Sequence, residues 1–107
     1  MPCSISPLEA EHSMQFTTLI DVRKEPARLE SGLTIPGAQR RTHDTVMEWR
    51  GQFTGKSVVL FCVHGHEVSR NACAALVQNG VDARYLDGGF EAWRSAGLAV
   101  VPLEQGQ

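Results

Sequence analysis

The stretch "KSVVLFC", residues 56–62, constrains the fold more than any other part of the chain. Apolar residues run without a break over positions 58–62. A strand with one face in water alternates apolar and polar side chains, and this one does not alternate. Both of its faces must be covered, which is the situation of a strand inside a parallel sheet. Parallel neighbours need long crossovers, usually helices. The chain supplies one at once: Val68, Ala72, Ala75, Leu76 and Asn79 recur at three- and four-residue steps, and Asn79-Gly80 is a stop signal. This spacing predicts a helix starting near Ser69.

The remaining segments repeat that alternation. "TTLIDV", residues 17–22, is short, β-branched and apolar, and is predicted as a second buried strand. "KEPARLES" places helix formers after Pro26 and before Gly32, and "TIPGAQ" is a turn leading into a short extended piece. "THDTVMEWRGQF" carries Val46, Met47, Trp49 and Phe53 at mixed helical spacing, with Thr42 or Asp44 as candidate N-cap. "DARYLDGG" is a further strand with a Gly-Gly turn, and "FEAWRSAG" a last helix with Phe90 and Trp93 inward. Strands alternating with helices imply the α/β class, with a mainly parallel sheet covered on both faces. With 107 residues and no repeat or linker, residues 1–107 are expected to form a single domain.

Charge excludes one class of partner. Ten Lys and Arg stand against twelve Asp and Glu, a net charge of -2, so nucleic acid is not expected. The short "QRR" at 39–41 does not change that balance. Residues 1–14 lack both the cationic start and the apolar stretch of a signal peptide, and no run approaches a membrane span. Cys3, Cys62 and Cys73 form an odd set without framework spacing. The expected setting is the reducing cytoplasm, with free thiols and no membrane partner.

Residues 62–67 hold Cys62, His64, Gly65, His66 and Glu67 between the strand and the helix. Three readings compete. A lone cysteine ending an apolar run is commonly a small core residue. Cys62, His64 and His66 also offer metal-ligand chemistry, but no convincing fourth ligand is near in sequence. The third reading is a nucleophile. A free thiol, with a pKa of about 8.5, is only slightly ionised at neutral pH, and the thiolate is the form that attacks. A turn can curl its N–H groups around sulfur, and the helix N-terminus adds roughly half a positive charge. Gly65 suits such a turn because glycine reaches positive φ freely. Cys73, among alanines in the helix, is read as packing, and Cys3 has no assigned role. Asp21 and Arg23, at the end of a buried strand, are expected to be structural, tying strand end to loop. Trp49, Phe90 and Trp93 are expected in the core.

"LIDVR", "IPGAQ", "VVLFC", the glycine-containing loop and "YLDGGFEAW" occur in that order, and together they resemble the rhodanese-like single-domain sulfurtransferases. The likeness runs over about residues 17–97. It implies a central sheet of about five strands, helices on both faces, and a ligand site beyond the strands' carboxyl ends. It also implies that Cys62 is the catalytic nucleophile, with no metal and no organic cofactor. Val63, His64, Gly65, His66, Glu67, Val68, Ser69 and Arg70 would then form the substrate-binding loop and helix start. The implied partners are a small-molecule sulfur donor such as thiosulfate and a thiophilic acceptor, either cyanide or a thiol. A protein acceptor also remains open.

The loop departs from the familiar pattern of Cys-x-x-Gly-x-Arg-Ser. If Ser69 matches the family serine, the cradle is longer by one residue and runs from Cys62 through Val68. Phosphatases and arsenate reductases of this fold use such a longer cradle, with an arginine where Val68 stands. Glu67 opposes anion binding unless it points outward or pairs with Arg70, and no histidine precedes Ile35-Pro36. An oxyanion-handling enzyme and a catalytically weak sulfur-carrying or regulatory module are therefore the alternatives.

Overall fold

The structure, a computed structural model, describes residues 3–103. Its strands are β1 (Cys3–Ile5), β2 (Thr18–Asp21), β3 (Leu33–Thr34), β4 (Gln39–Arg40), β5 (Ser57–Phe61), β6 (Asp82–Leu86) and β7 (Val101–Pro102). The helices are α1 (Pro7–His12), α2 (Glu25–Ser31), α3 (Val46–Trp49), α4 (Glu67–Gln78) and α5 (Gly89–Ser95), with a 3-10 turn at Arg50–Phe53. Five strands form one sheet in the order β1-β6-β5-β2-β4, and every pairing is parallel. β3 and β7 form a separate antiparallel ribbon.

The unbroken apolar run of β5 has the predicted explanation. Val58 and Leu60 enter one core cluster with Trp49, Phe53, Ala72 and Leu76. Val59 and Phe61 enter another with Ala10, Phe90 and Trp93. Alternate residues thus feed opposite faces, one covered by α3 and α4, the other by α1 and α5. β2 divides in the same way, Ile20 to the first cluster and Leu19 to the second.

Three sequence expectations need correction. α4 begins at Glu67, not near Ser69. Glu67 occupies the first helical position after the N-cap His66, where a carboxylate meets the positive end of the helix dipole. The N-cap of α3 is Thr45, not Thr42 or Asp44, and its side chain makes no capping bond. Its hydroxyl is instead engaged with that of Thr42. Residues 3–12, to which the sequence reading gave no element, form the edge strand β1 and the helix α1. α1 opens with a capping box: the Ser6 hydroxyl accepts from the Glu9 N–H, and a Glu9 carboxylate oxygen accepts from the Ser6 N–H.

The topology also marks a place for a ligand. From β2 the chain moves outward to β4, then crosses back to β5 on the other side and continues to β6. The reversal lies between β2 and β5, and open α/β sheets bind ligands at the carboxyl ends of the strands flanking such a switch.

Candidate active site

The loop after β2 and the loop after β5 meet at that switch and enclose a cleft of about 520 Å³. Arg23, Lys24 and Ala27 line it from the β2–α2 side. Cys62, Val63, His64, His66, Glu67, Val68 and Arg70 line it from the β5–α4 side. Cys62 sits at the floor, only 5 % exposed. Its Sγ lies 3.1 Å from the hydroxyl of Ser69, which is fully buried on the first turn of α4. When the sulfur is a thiolate, only the hydroxyl can donate, and hydrogen bonds to charged partners are the strong ones.

The early helix start changes the cradle. It comprises Cys62 and residues 63–66, while Glu67, Val68 and Ser69 already belong to α4. His66 ends the loop as N-cap, and Ser69, the residue set against the family serine, meets Sγ from the first turn of α4. Among the described residues, no backbone N–H from positions 63–69 donates to a protein acceptor. The first bond of this turn is from the Arg70 N–H to the His66 carbonyl. The loop that follows Cys62 thus offers a run of backbone donors with no protein acceptor, at the positive end of the α4 dipole.

Glycines hold this loop in place. Gly65 has φ +72, and a Cβ there would lie 2.7 Å from the Gly88 nitrogen and 2.8 Å from the Leu86 carbonyl oxygen. Gly89 answers it from the other side: a Cβ there would lie 2.6 Å from the carbonyl oxygens of Cys62 and Val63. The Phe90 N–H donates to the Cys62 carbonyl at 2.8 Å, and the Glu91 N–H to that of Val63 at 3.0 Å. The sequence predicts a turn at Gly88-Gly89. Their close contact with the cysteine loop was not foreseen, although two adjacent glycines before a helix were a signal of it.

Asp21 and Arg23 meet as a bidentate pair, Nε to Oδ1 at 2.9 Å and a terminal nitrogen to Oδ2 at 2.6 Å. The same terminal nitrogen donates to the Leu33 carbonyl at 2.7 Å. Arg23 also stacks over Phe90, 4.4 Å from the ring centroid, so it forms a fixed cleft wall. Its charge is answered by Asp21. Two more arginines, neither singled out by the sequence, approach the same carboxylate: Arg28 at 3.7 Å and Arg40 at 4.0 Å. Burial lowers the pKa of Arg40, against the opposing pull of Asp21 and Glu25.

The other candidates are more open. His64 and His66 are exposed, with ring centroids 6.1 Å apart. Among the described residues, no cluster of three or more His, Cys, Asp or Glu could hold a metal ion. Arg70 borders the cleft, but its guanidinium lies over Tyr85, 5.3 Å from the ring centroid. Val68 faces both the cleft and the core. Cys73 is fully buried, and burial pushes its thiol up to about 12, with Cys3 adding a smaller rise. Cys3 is exposed on β1.

Solved structures share this architecture. A rhodanese-related protein from Thermoplasma volcanium superposes with a TM-score of 0.82 at 24% identity, covering 92% of this chain and 97% of that one. A rhodanese-like domain protein from Staphylococcus aureus gives 0.74 at 25% identity, covering 85% and 90%. A Rhodopseudomonas palustris protein of unknown function, a possible tyrosine phosphatase, gives 0.75 at 23% identity, covering 94% and 85%. At these identities the likeness is one of fold. The sequence itself matches the rhodanese-like domain over residues 6–96, nearly the whole of the sheet and the entire cysteine loop. On that match, with Cys62 at the mouth of the β2–β5 switch, the chain belongs to the rhodanese-like domain family.

Proposed function

We propose that this protein is a sulfurtransferase that carries sulfane sulfur on Cys62, taking it from thiosulfate or a similar donor and passing it to a thiophilic acceptor. One observation carries the reading: a buried Sγ hydrogen-bonded to Ser69 inside a loop whose amides have no protein acceptor. In the first step the Cys62 thiolate attacks the outer sulfur of thiosulfate. A new S–S bond forms, the thiosulfate S–S bond breaks, and its electron pair leaves with sulfite. Cys62 is left as a persulfide. In the second step cyanide or a thiolate attacks the outer sulfur, and the electron pair of the Cys62 S–S bond returns to Sγ. Two easy displacements replace one hard transfer. The loop amides serve each anionic species in turn. No metal or organic cofactor enters either step.

Phosphoryl or arsenate chemistry is the second reading, and the Rhodopseudomonas palustris relative gives the reason to test it. That chemistry asks for a fixed cation over several charged oxygens. Val68 and Glu67 place no cation in the loop itself, and the Arg70 guanidinium rests over Tyr85 rather than being fixed by a hydrogen bond. Sulfur transfer asks only for amide donors, and is favoured. Intact mass after incubation with thiosulfate tests both. The expected result is one added sulfur atom on the wild type and on Cys73→Ser, none on Cys62→Ser, and negligible aryl phosphatase or arsenate reductase activity. Loading that survives the loss of Cys62, or oxyanion turnover faster than sulfur transfer, would overturn the proposal.

A further inference from the structure

A groove that the chemistry at Cys62 does not use lies between α3 and the middle of α4. Its volume is about 310 Å³, and it shares no lining residue with the cleft over Cys62. Val46 is buried and Ala75 half-buried, and with Met47 they give the groove its apolar surface. Met47 is 59 % exposed. An exposed methionine on its own is ordinary, but this one is held. The Asn79 side-chain nitrogen donates to the Met47 sulfur at 3.6 Å and to the Ala75 carbonyl at 2.7 Å. One amide thus ties the thioether to α4 and forms the groove before anything enters it. A preformed site loses less freedom on binding.

The charge of the groove is one-sided. Asp44 and Glu48 line it, both are exposed, and among the described residues neither makes an ion pair. No Lys or Arg lines it. Glu67, also exposed and without an ion pair, stands one turn before Asn71 on the same face of α4. Such a field favours a cationic partner and disfavours nucleic acid and anionic lipid. Asp44, Met47, Glu48 and Asn71 are all exposed, so the groove lies open on the surface. Small-molecule sites enclose most of their ligand. An open apolar groove with a charged border is the form that receives a polypeptide segment.

We infer that the α3–α4 groove is a docking site for a segment of a partner protein, which seats an apolar side chain between Met47 and Ala75 and carries a neighbouring Lys or Arg toward Asp44 and Glu48. A segment so bound leaves the cleft over Cys62 open. Glu67 lines that cleft and Asn71 lines the groove, about 6 Å apart along the axis of α4, so the docked partner stands beside the cleft.

The test selects a phage-displayed library of random peptides on immobilised wild-type protein, and the most enriched sequence is synthesised as the probe. The expected consensus places Leu, Ile, Met or Phe next to Lys or Arg. In amide NMR the probe should shift residues 43–48, Asn71 and Ala75 and leave residues 63–66 in place. Its Kd should rise about tenfold in Asp44→Lys/Glu48→Lys and by about threefold or more in Met47→Ala. For the wild type it should also rise about tenfold in about 1 M salt, where the Debye length falls to about 3 Å. All three side chains are exposed, so neither variant disturbs the core. A selection that enriches no sequence, a consensus without a basic residue, shifts confined to the cleft, or a Kd unmoved in the charge variant would overturn this inference.

Discussion

Cys62 and Cys73 are both buried thiols, but their surroundings oppose each other. Cys62 has a hydroxyl at 3.1 Å and opens to a cleft, whereas Cys73 lies fully buried in the core between α4 and the sheet. A hydrogen bond to a charged group is worth about 1.5–3 kcal/mol, so Ser69→Ala should slow thiosulfate loading of Cys62 by roughly tenfold or more. The urea midpoint should barely move, because a buried serine is replaced by a smaller apolar residue. An unchanged loading rate would deny Ser69 any role in holding the thiolate. The folded pKa of Cys73, about 12, lies above the usual thiol value, so the fold keeps a proton that the unfolded chain releases. The associated stability is intact below about pH 9 and declines as pH rises toward 12. The stability difference between wild type and Cys73→Ala should therefore shrink between about pH 9 and 11 in urea titrations. A constant difference would refute the buried neutral thiol.

At the scale of elements, the site is the junction of two helix starts. The β5–α4 loop lies on the N-terminus of α5, and Gly65 and Gly89 permit the approach. Gly65→Ala meets backbone atoms, which cannot swing aside as a side chain can, and it also forces alanine to positive φ. We expect a loss of at least about 2 kcal/mol in urea unfolding, together with loss of sulfur loading. Gly55→Ala is the comparison. Gly55 has φ +78 but nothing within 4 Å of an added Cβ, so it should lose only about 1–2 kcal/mol and still load. Equal effects at the two glycines would mean that backbone conformation alone, not the approach of α5, governs the loop.

For the whole molecule, the buried polar centre at Asp21 joins β2, α2, β3 and β4. One carboxylate receives Arg23, accepts from the Thr34 hydroxyl at 3.3 Å, and faces Arg28 and Arg40. Glu25 is the second acid of the group, 2.7 Å from Arg28 and 3.7 Å from Arg40. Breaking a buried pair by removing one charge is strongly destabilising, so Asp21→Asn should lose about 3–5 kcal/mol. The loss should be smaller in an Arg28→Leu background, where one fewer cation is left unanswered, and a double-mutant cycle by urea unfolding measures that coupling. Additive effects would show that Arg28 is independent of Asp21. No helix among the described residues is long and apolar enough to cross a membrane.

The sequence by itself determined the α/β class, the two buried parallel strands β2 and β5, and the cysteine at the end of β5. Those features are local: an unbroken apolar run and a three-to-four residue repeat each declare what must be covered, whatever covers it. Gly65 was legible for the same reason, since a turn beside a strand end asks for positive φ. The capping box at Ser6 and Glu9 has a spacing that could have announced α1, but no element was predicted there. Tertiary structure decided the rest. The three-residue β1 and the two-residue β3 and β7 have too few positions to show a period, and they exist only through their partners. Arg28 and Arg40 look like surface residues in the sequence, because burial of an arginine depends on a carboxylate brought from another element. The clamp of Gly88-Gly89 on the cysteine loop is likewise a contact between segments distant in the chain. That clamp fixes the path of the cysteine loop, and such a path is a property of the folded backbone alone.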